Sequence, residues 1–261
     1  MGHDRLGFVP RNVKWQRVLT DLNGYSFGVV DAKSVGRRVL ENVHDRLDNI
    51  ADDKGVNAAF TFLVAMAYSG KGEKRTKDWA IRGIELPSET TEFLVAKHVS
   101  RSVERNIQSR EYGEIAKASA IDTITTWYRK YREEGEDIFG AKKTPDEIWQ
   151  QASDGSGFCE LSRIFFSKFT ERYLSYFIER EAGAHFSDWD QITRFRSDLA
   201  VSIDTLSKYA FETAKITQSF AAGWYNKNTK EGLPTSVQVR RFLATAFGKL
   251  KEEFAMEKAS N

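Results

Sequence analysis

Apolar residues along this chain recur mostly at three- and four-residue steps, the period of an α-helix. After an irregular arm over 1–12, the pattern predicts a helix over 13–22, closed by the turn residues Asn23-Gly24. Tyr25 to Val30 alternates weakly and reads as a short strand. A helix is expected over 31–50, with Val35, Val39, Val43 and Leu47 stacked on one face. Residues 57–69 are apolar on nearly all sides, the mark of a buried helix. Residues 70–78 read as a basic loop and 79–86 as an extended stretch. Pro87-Ser88 opens a helix to about 109, with Ser88 as N-cap and Glu89 and Glu92 where the helix dipole favours acids. Another helix covers about 111–134.

Residues 136–157 read as a hinge region. Within it Thr144-Pro145-Asp146-Glu147 is a capping box with Pro at the first helical position, so a short helix starts there. The glycine- and serine-rich run 153–157 is the best domain boundary, with a surface loop inside one domain as the alternative. The final hundred residues carry the clearest pattern. A helix over 158–182 repeats Leu161, Phe165, Phe169, Tyr173 and Phe177 at four-residue steps. Ser187 then caps a helix expected to run unbroken to about 226. From Ile203 to Trp224 its apolar or small positions step alternately by three and four, a coiled-coil-like seam. Its length would be roughly 58 Å. A last helix covers 235–257. The fold expected is all-α, a multi-helix bundle with long antiparallel helices and at most a small β element in the N-terminal half. It divides as an N-terminal helical lobe (1–140), a hinge or surface loop with a short helix (141–158) and a C-terminal three-helix bundle (159–261), with one continuous domain as the alternative.

Composition narrows the function classes. The 261 residues include 18 Phe, 9 Tyr and 6 Trp, a heavy aromatic load for a core or an interface. Only 4 are Pro, which favours long uninterrupted helices. Lys and Arg total 39 against 37 Asp and Glu, a net charge of +2, so a nucleic-acid contact would need a local patch. Cys159 is the single cysteine. That excludes an intrachain disulfide and multi-Cys metal sites, and it suits a reducing cytoplasm. The polar start lacks the apolar stretch of a signal peptide, and no apolar run reaches the ~20 residues of a membrane span. A soluble cytoplasmic protein is expected, with no membrane association.

Candidate chemistry is sparse. Glu41-Asn42-Val43-His44 is one Glu-x-x-His pair, where a di-metal bundle needs two. His44-Asp45 lacks the further ligands of a metal phosphohydrolase. Gly70-Lys71-Gly72 lacks the spacing of a phosphate-binding P-loop, although Lys71, Lys74, Arg75 and Lys77 make a local basic loop able to touch phosphates. No metal and no cofactor is expected. Cys159, at the start of an apolar helix, reads as a small core residue, with a reactive thiol as the alternative.

Two further patterns suggest contact with nucleic acid. Arg180-Glu181-Ala182-Gly183-Ala184-His185 resembles the Arg-x(4–6)-His motif of HEPN-type helical ribonucleases. Arg38 and Arg37 stand at related spacings from His44. The resemblance covers six residues. It implies Arg180 as a phosphate-holding charge and His185 as acid/base in a dimeric RNA-cleaving site. Its plain alternative is a helix C-terminus, where Arg and His complement the dipole. Separately, Arg129, Lys130 and Arg132 interleave with rings in Trp127-Tyr128-Arg129-Lys130-Tyr131-Arg132. Arg240, Arg241, Lys249 and Lys251 form a C-terminal basic set. Such patches hold phosphate backbones, but acidic residues flank both, as on any solvated amphipathic surface.

With no complete catalytic constellation, the sequence favours a non-enzymatic adaptor or accessory subunit of a larger assembly. Protein partners are expected and homo-oligomerisation is compatible. The alternatives are a nucleic-acid-binding subunit and a HEPN-like ribonuclease, both of which would suit a bacterial defence complex.

Overall fold

The computed structural model describes residues 13–72, 83–106, 110–133, 143–186, 189–211 and 219–256. The side chains of 44–48, 110, 133, 179–185 and 254–256 also lie outside the description. The described residues form ten α-helices and no strand. They are α1 (Val13–Ser26), α2 (Ala32–Ile50), α3 (Lys54–Ser69), α4 (Glu92–Glu104), α5 (Arg110–Glu133), α6 (Pro145–Gln150), α7 (Gly155–His185), α8 (Trp189–Phe211), α9 (Phe220–Asn228) and α10 (Ser236–Met256). The protein is an all-α multi-helix bundle. No helix among the described residues is long and apolar enough to cross a membrane.

Local chemistry sets many of the helix starts. Asp31 and Asp53 stand in extended conformation before α2 and α3, and their carboxylates accept from the first free backbone N–H groups. Thr144 and Glu147 form the capping box expected before α6, with Pro145 inside it. The apolar character of α3 matches its place: Phe60, Phe62, Leu63, Val64 and Met66 are all buried.

Helix α7 is the central strut. It packs against α8, α5, α9, α1 and α2, while α3 packs against α5, α4, α10 and α6. The two meet at Phe60, whose ring contacts Phe158, Phe165, Phe166 and Phe242 at centroid distances of 5.2–6.2 Å. One apolar core draws buried residues from all ten helices, from Trp15 to Leu250.

The structure departs from the sequence pattern at several places. Tyr25 to Val30 is not a strand. Helix α1 runs on through Asn23-Gly24 to Ser26, and residues 27–30 form a turn with Gly28 at φ 72°. Tertiary packing outweighs the turn signal there. The Tyr25 ring sits edge-on to Phe186 and Phe195, 5.8 and 4.9 Å away, and its hydroxyl donates to Asp198 at 2.7 Å. Of the second extended stretch, residues 79–82 lie outside the description and 84–87 are irregular. Ser88 does not cap α4. Thr90 is pinned by hydrogen bonds from its hydroxyl to Asp146 and to its carbonyl from the Tyr128 hydroxyl, so the helix begins only after Thr91.

The helix expected to run unbroken to 226 is divided. Helix α8 ends at Phe211, residues 212–218 lie outside the description, and Ser219 stands extended (ψ 152°) as the N-cap of α9. The Ser219 hydroxyl accepts from Ala222 N at 3.1 Å and donates to the buried Cys159 sulfur at 3.0 Å, which anchors the break on α7. The long helices α7, α8 and α10 are present, with α9 added among them. Gly155 and Gly157 of the glycine- and serine-rich run form the first turn of α7, where Asp154 accepts from Gly157 N at 2.7 Å. A Cβ on Gly157 would lie 1.7 Å from the Gln151 carbonyl oxygen, so only glycine allows this close approach.

Candidate functional site

Three of the most exposed large apolar side chains lie on two joined elements, the α1–α2 turn and the start of α8, while others, such as Phe93 of α4, stand elsewhere on the surface. In the α1–α2 turn Phe27 and Val29 are 78% and 80% exposed, on either side of Gly28. Trp189, the first residue of α8, is 77% exposed. Tyr25 ties the two elements together, because its ring contacts Phe186 just before α8 and Phe195 within it. The exposed residues therefore ride on a rigid, well-packed base.

The basic candidates are dispersed. Lys71 donates to the Thr229 hydroxyl at 2.8 Å and lies over the Tyr225 ring at 4.8 Å, so it is tied to α9. Lys74, Arg75 and Lys77 lie outside the described residues. In α5 the ring–cation run splits by helix face: Trp127 and Tyr128 are buried, and Arg129 and Arg132 are exposed. Lys130 pairs with Glu160 and Arg132 with Glu92. Arg129 has no carboxylate partner among the described residues. It borders a groove with Lys130, Glu160, Arg163 and Asp204, in which the charges are largely paired.

In α10, Arg240 pairs with Asp52, while Arg241 is exposed without a described carboxylate partner. Lys249 lies over the Phe220 ring at 5.4 Å, and Lys251 is half-buried. At ~100° per residue, Arg240 and Lys251 align to within about 20°, while Lys249 points to the opposite side from Arg240. Arg180 and His185 lie in the last turns of α7, but their side chains are outside the description, as is that of His44. Cys159 is fully buried, with its sulfur 3.5 Å from the Phe211 carbonyl oxygen. His98 is half-buried and its Nδ1 lies 3.0 Å from the Glu85 carbonyl. Among the described residues no three His, Cys, Asp or Glu side chains gather to hold a metal ion.

Sequence reading missed a sizeable concavity. A cleft of about 530 Å³ opens between the N-terminal turns of α3 and α10 and the C-terminal half of α4. Its polar lining includes Asp52, Lys54, Ser102, Asn106, Ser236 and Arg240. A second hollow of about 360 Å³ shares Asp52, Val237 and Arg240 with it and reaches Arg241. Residues so far apart in the chain form no local motif, and only Arg240 and Arg241 had been singled out by their charge.

Fold and surface together define an all-α helical protein with exposed apolar side chains at the α1–α2 turn and the start of α8 and a separate polar cleft. No family model, no curated protein and no solved structure matches the chain.

Proposed function

We propose that the protein is a non-enzymatic helical adaptor or accessory subunit of a larger cytoplasmic assembly, and that it holds its partner through the apolar end formed by Phe27, Val29 and Trp189. The observation that carries this reading is the exposure of those three side chains on a rigid base, in a chain that buries most of its other large rings. Large apolar side chains held in solvent on neighbouring elements are what an interaction site would offer, and Trp and Phe are favoured anchors in such sites. The test is affinity purification of the full chain from its native host. A stoichiometric protein partner is expected to co-elute with the wild type. It should be lost from the Phe27→Ser/Trp189→Ser double variant while the melting temperature stays within a degree or two. Retention of the same partner by that variant, or elution of the wild type alone, would sink the reading.

A second reading, phosphate-backbone binding, draws support from the exposed guanidinium groups of Arg129 and Arg241, which have no carboxylate partner among the described residues. Its signature is oligonucleotide binding that weakens steeply with salt and is lost in Arg129→Glu/Arg241→Glu.

A further inference from the structure

The cleft between α3, α4 and α10 has the make-up of a small-ligand site, and its case is independent of the adaptor reading. We propose that it binds a small phosphate ester of about nucleotide size. Its volume of about 530 Å³ falls within the usual ~300–1,000 Å³ of ligand pockets.

The lining is built for an anion. Arg240 lines the cleft and gives its Nε to Asp52, so the pair engages one edge of the guanidinium. Lys54 borders the same cleft and has no carboxylate partner among the described residues. Among the described lining residues, two cations against the single carboxylate of Asp52 leave one positive charge in excess.

The second observation is Ser102. It is only 8% exposed and lines the cleft. A helical serine ordinarily returns its hydroxyl to the carbonyl four residues back, as Ser100 does to Ala96 in the same helix at 3.1 Å. The Ser102 hydroxyl makes no such bond and has no other partner among the described residues. Its hydroxyl therefore opens to the cleft, where it is available to a ligand oxygen. The helix N-termini are not what recommends the site, because Asp53 already caps α3 and Thr235 caps α10.

A phosphate ester fits this donor set better than a bare anion or a polyanion. Terminal phosphate oxygens match Arg240, Lys54 and Ser102, and charge-assisted bonds to them are the strong kind. Val237, 54% exposed, and the buried Ile84 offer apolar wall to the organic part. Asp52, held inside the lining, disfavours the dense charge of a nucleic-acid backbone.

The experiment is calorimetric titration of the full chain with inorganic phosphate, glycerol 3-phosphate, the common ribonucleoside 5′-monophosphates and a 20-nucleotide single strand. At least one small ester is expected to saturate a single site, more tightly than inorganic phosphate. Lys54→Gln and Ser102→Ala should each weaken it about tenfold, the usual loss for a hydrogen bond to a charged group, without moving the melting temperature. If Ser102→Ala is unstable, Lys54→Gln decides alone, since Lys54 is exposed and its replacement leaves the fold intact. No saturable binding of any ester at millimolar concentration would overturn the proposal. So would unchanged affinity in Lys54→Gln, or binding of the oligonucleotide alone. Failure of these titrations would leave partner capture by the apolar end untouched, and the reverse also holds.

Discussion

Single residues do their most consequential work where buried polar atoms meet. The Tyr128 hydroxyl donates to the Thr90 carbonyl and accepts from Trp149 Nε1 at 2.8 Å, and Trp127 Nε1 donates to the Ile148 carbonyl at 3.1 Å. Burial holds the Tyr128 phenol well above its ordinary titration range, so it stays neutral and keeps its proton for Thr90. Tyr128→Phe should cost about 1–3 kcal/mol in urea unfolding, because it strands an indole N–H and a carbonyl in the core. Gly157→Ala should be more damaging, with a loss of about 3 kcal/mol at the upper end of overpacking effects, read as a fall in melting temperature. Neither role was legible in the sequence. The run from Trp127 to Arg132 looked like interleaved rings and cations. A helix separates such neighbours onto different faces, so Trp127 and Tyr128 went inward while Arg129 and Arg132 stayed exposed.

Helix placement was the most legible level, and it failed where tertiary contacts overrode local signals. The capping box before α6 could be read directly, since its residues are adjacent and its chemistry is local. Thr144→Ala should cost about 1 kcal/mol. The Glu147 carboxyl is held below the usual carboxylate range, first by the Thr144 backbone N–H and then by the Thr144 hydroxyl. A depressed value in the folded state means that ionised Glu147 stabilises at neutral pH. That contribution fades as pH falls through the depressed value. The difference in melting temperature between wild type and Glu147→Gln should therefore be present at pH 7 and shrink in acid; a constant difference would refute it. The break before α9 was invisible for the opposite reason. A three–four apolar rhythm reports which face is buried but not whether the chain between two turns is continuous. Ser219 looked like one more small residue until its hydroxyl was found bridging Ala222 and Cys159. Ser219→Ala should cost about 1 kcal/mol as a lost cap, a loss that an unbroken helix would not show.

For the whole molecule the decisive feature is the shared core. Phe60 joins α3 to α7 and α10, so Phe60→Ala should cost about 3–5 kcal/mol in denaturant unfolding. The sequence pattern left open whether the chain forms two lobes or one domain. A core drawing on all ten helices leads us to expect one calorimetric transition, where two separable lobes would give two. Fold class was readable because helical periodicity repeats over the whole length. The polar cleft was not, because Lys54, Ser102 and Arg240 come together only after three distant helices pack.

The position of α7 also has a consequence for how the protein is made. The ribosome must release residues 13–150 before the first turn of α7 exists, yet α1, α2 and α5 all close against that helix. The emerging chain therefore carries Phe60 with the rings that cover it still unsynthesised. Completion of the core waits on α7, and the final seal waits on Phe242 of α10. Nascent chains stalled before residue 155 should be sticky and protease-sensitive clients of chaperones, and protection should arrive in a late step during synthesis rather than lobe by lobe.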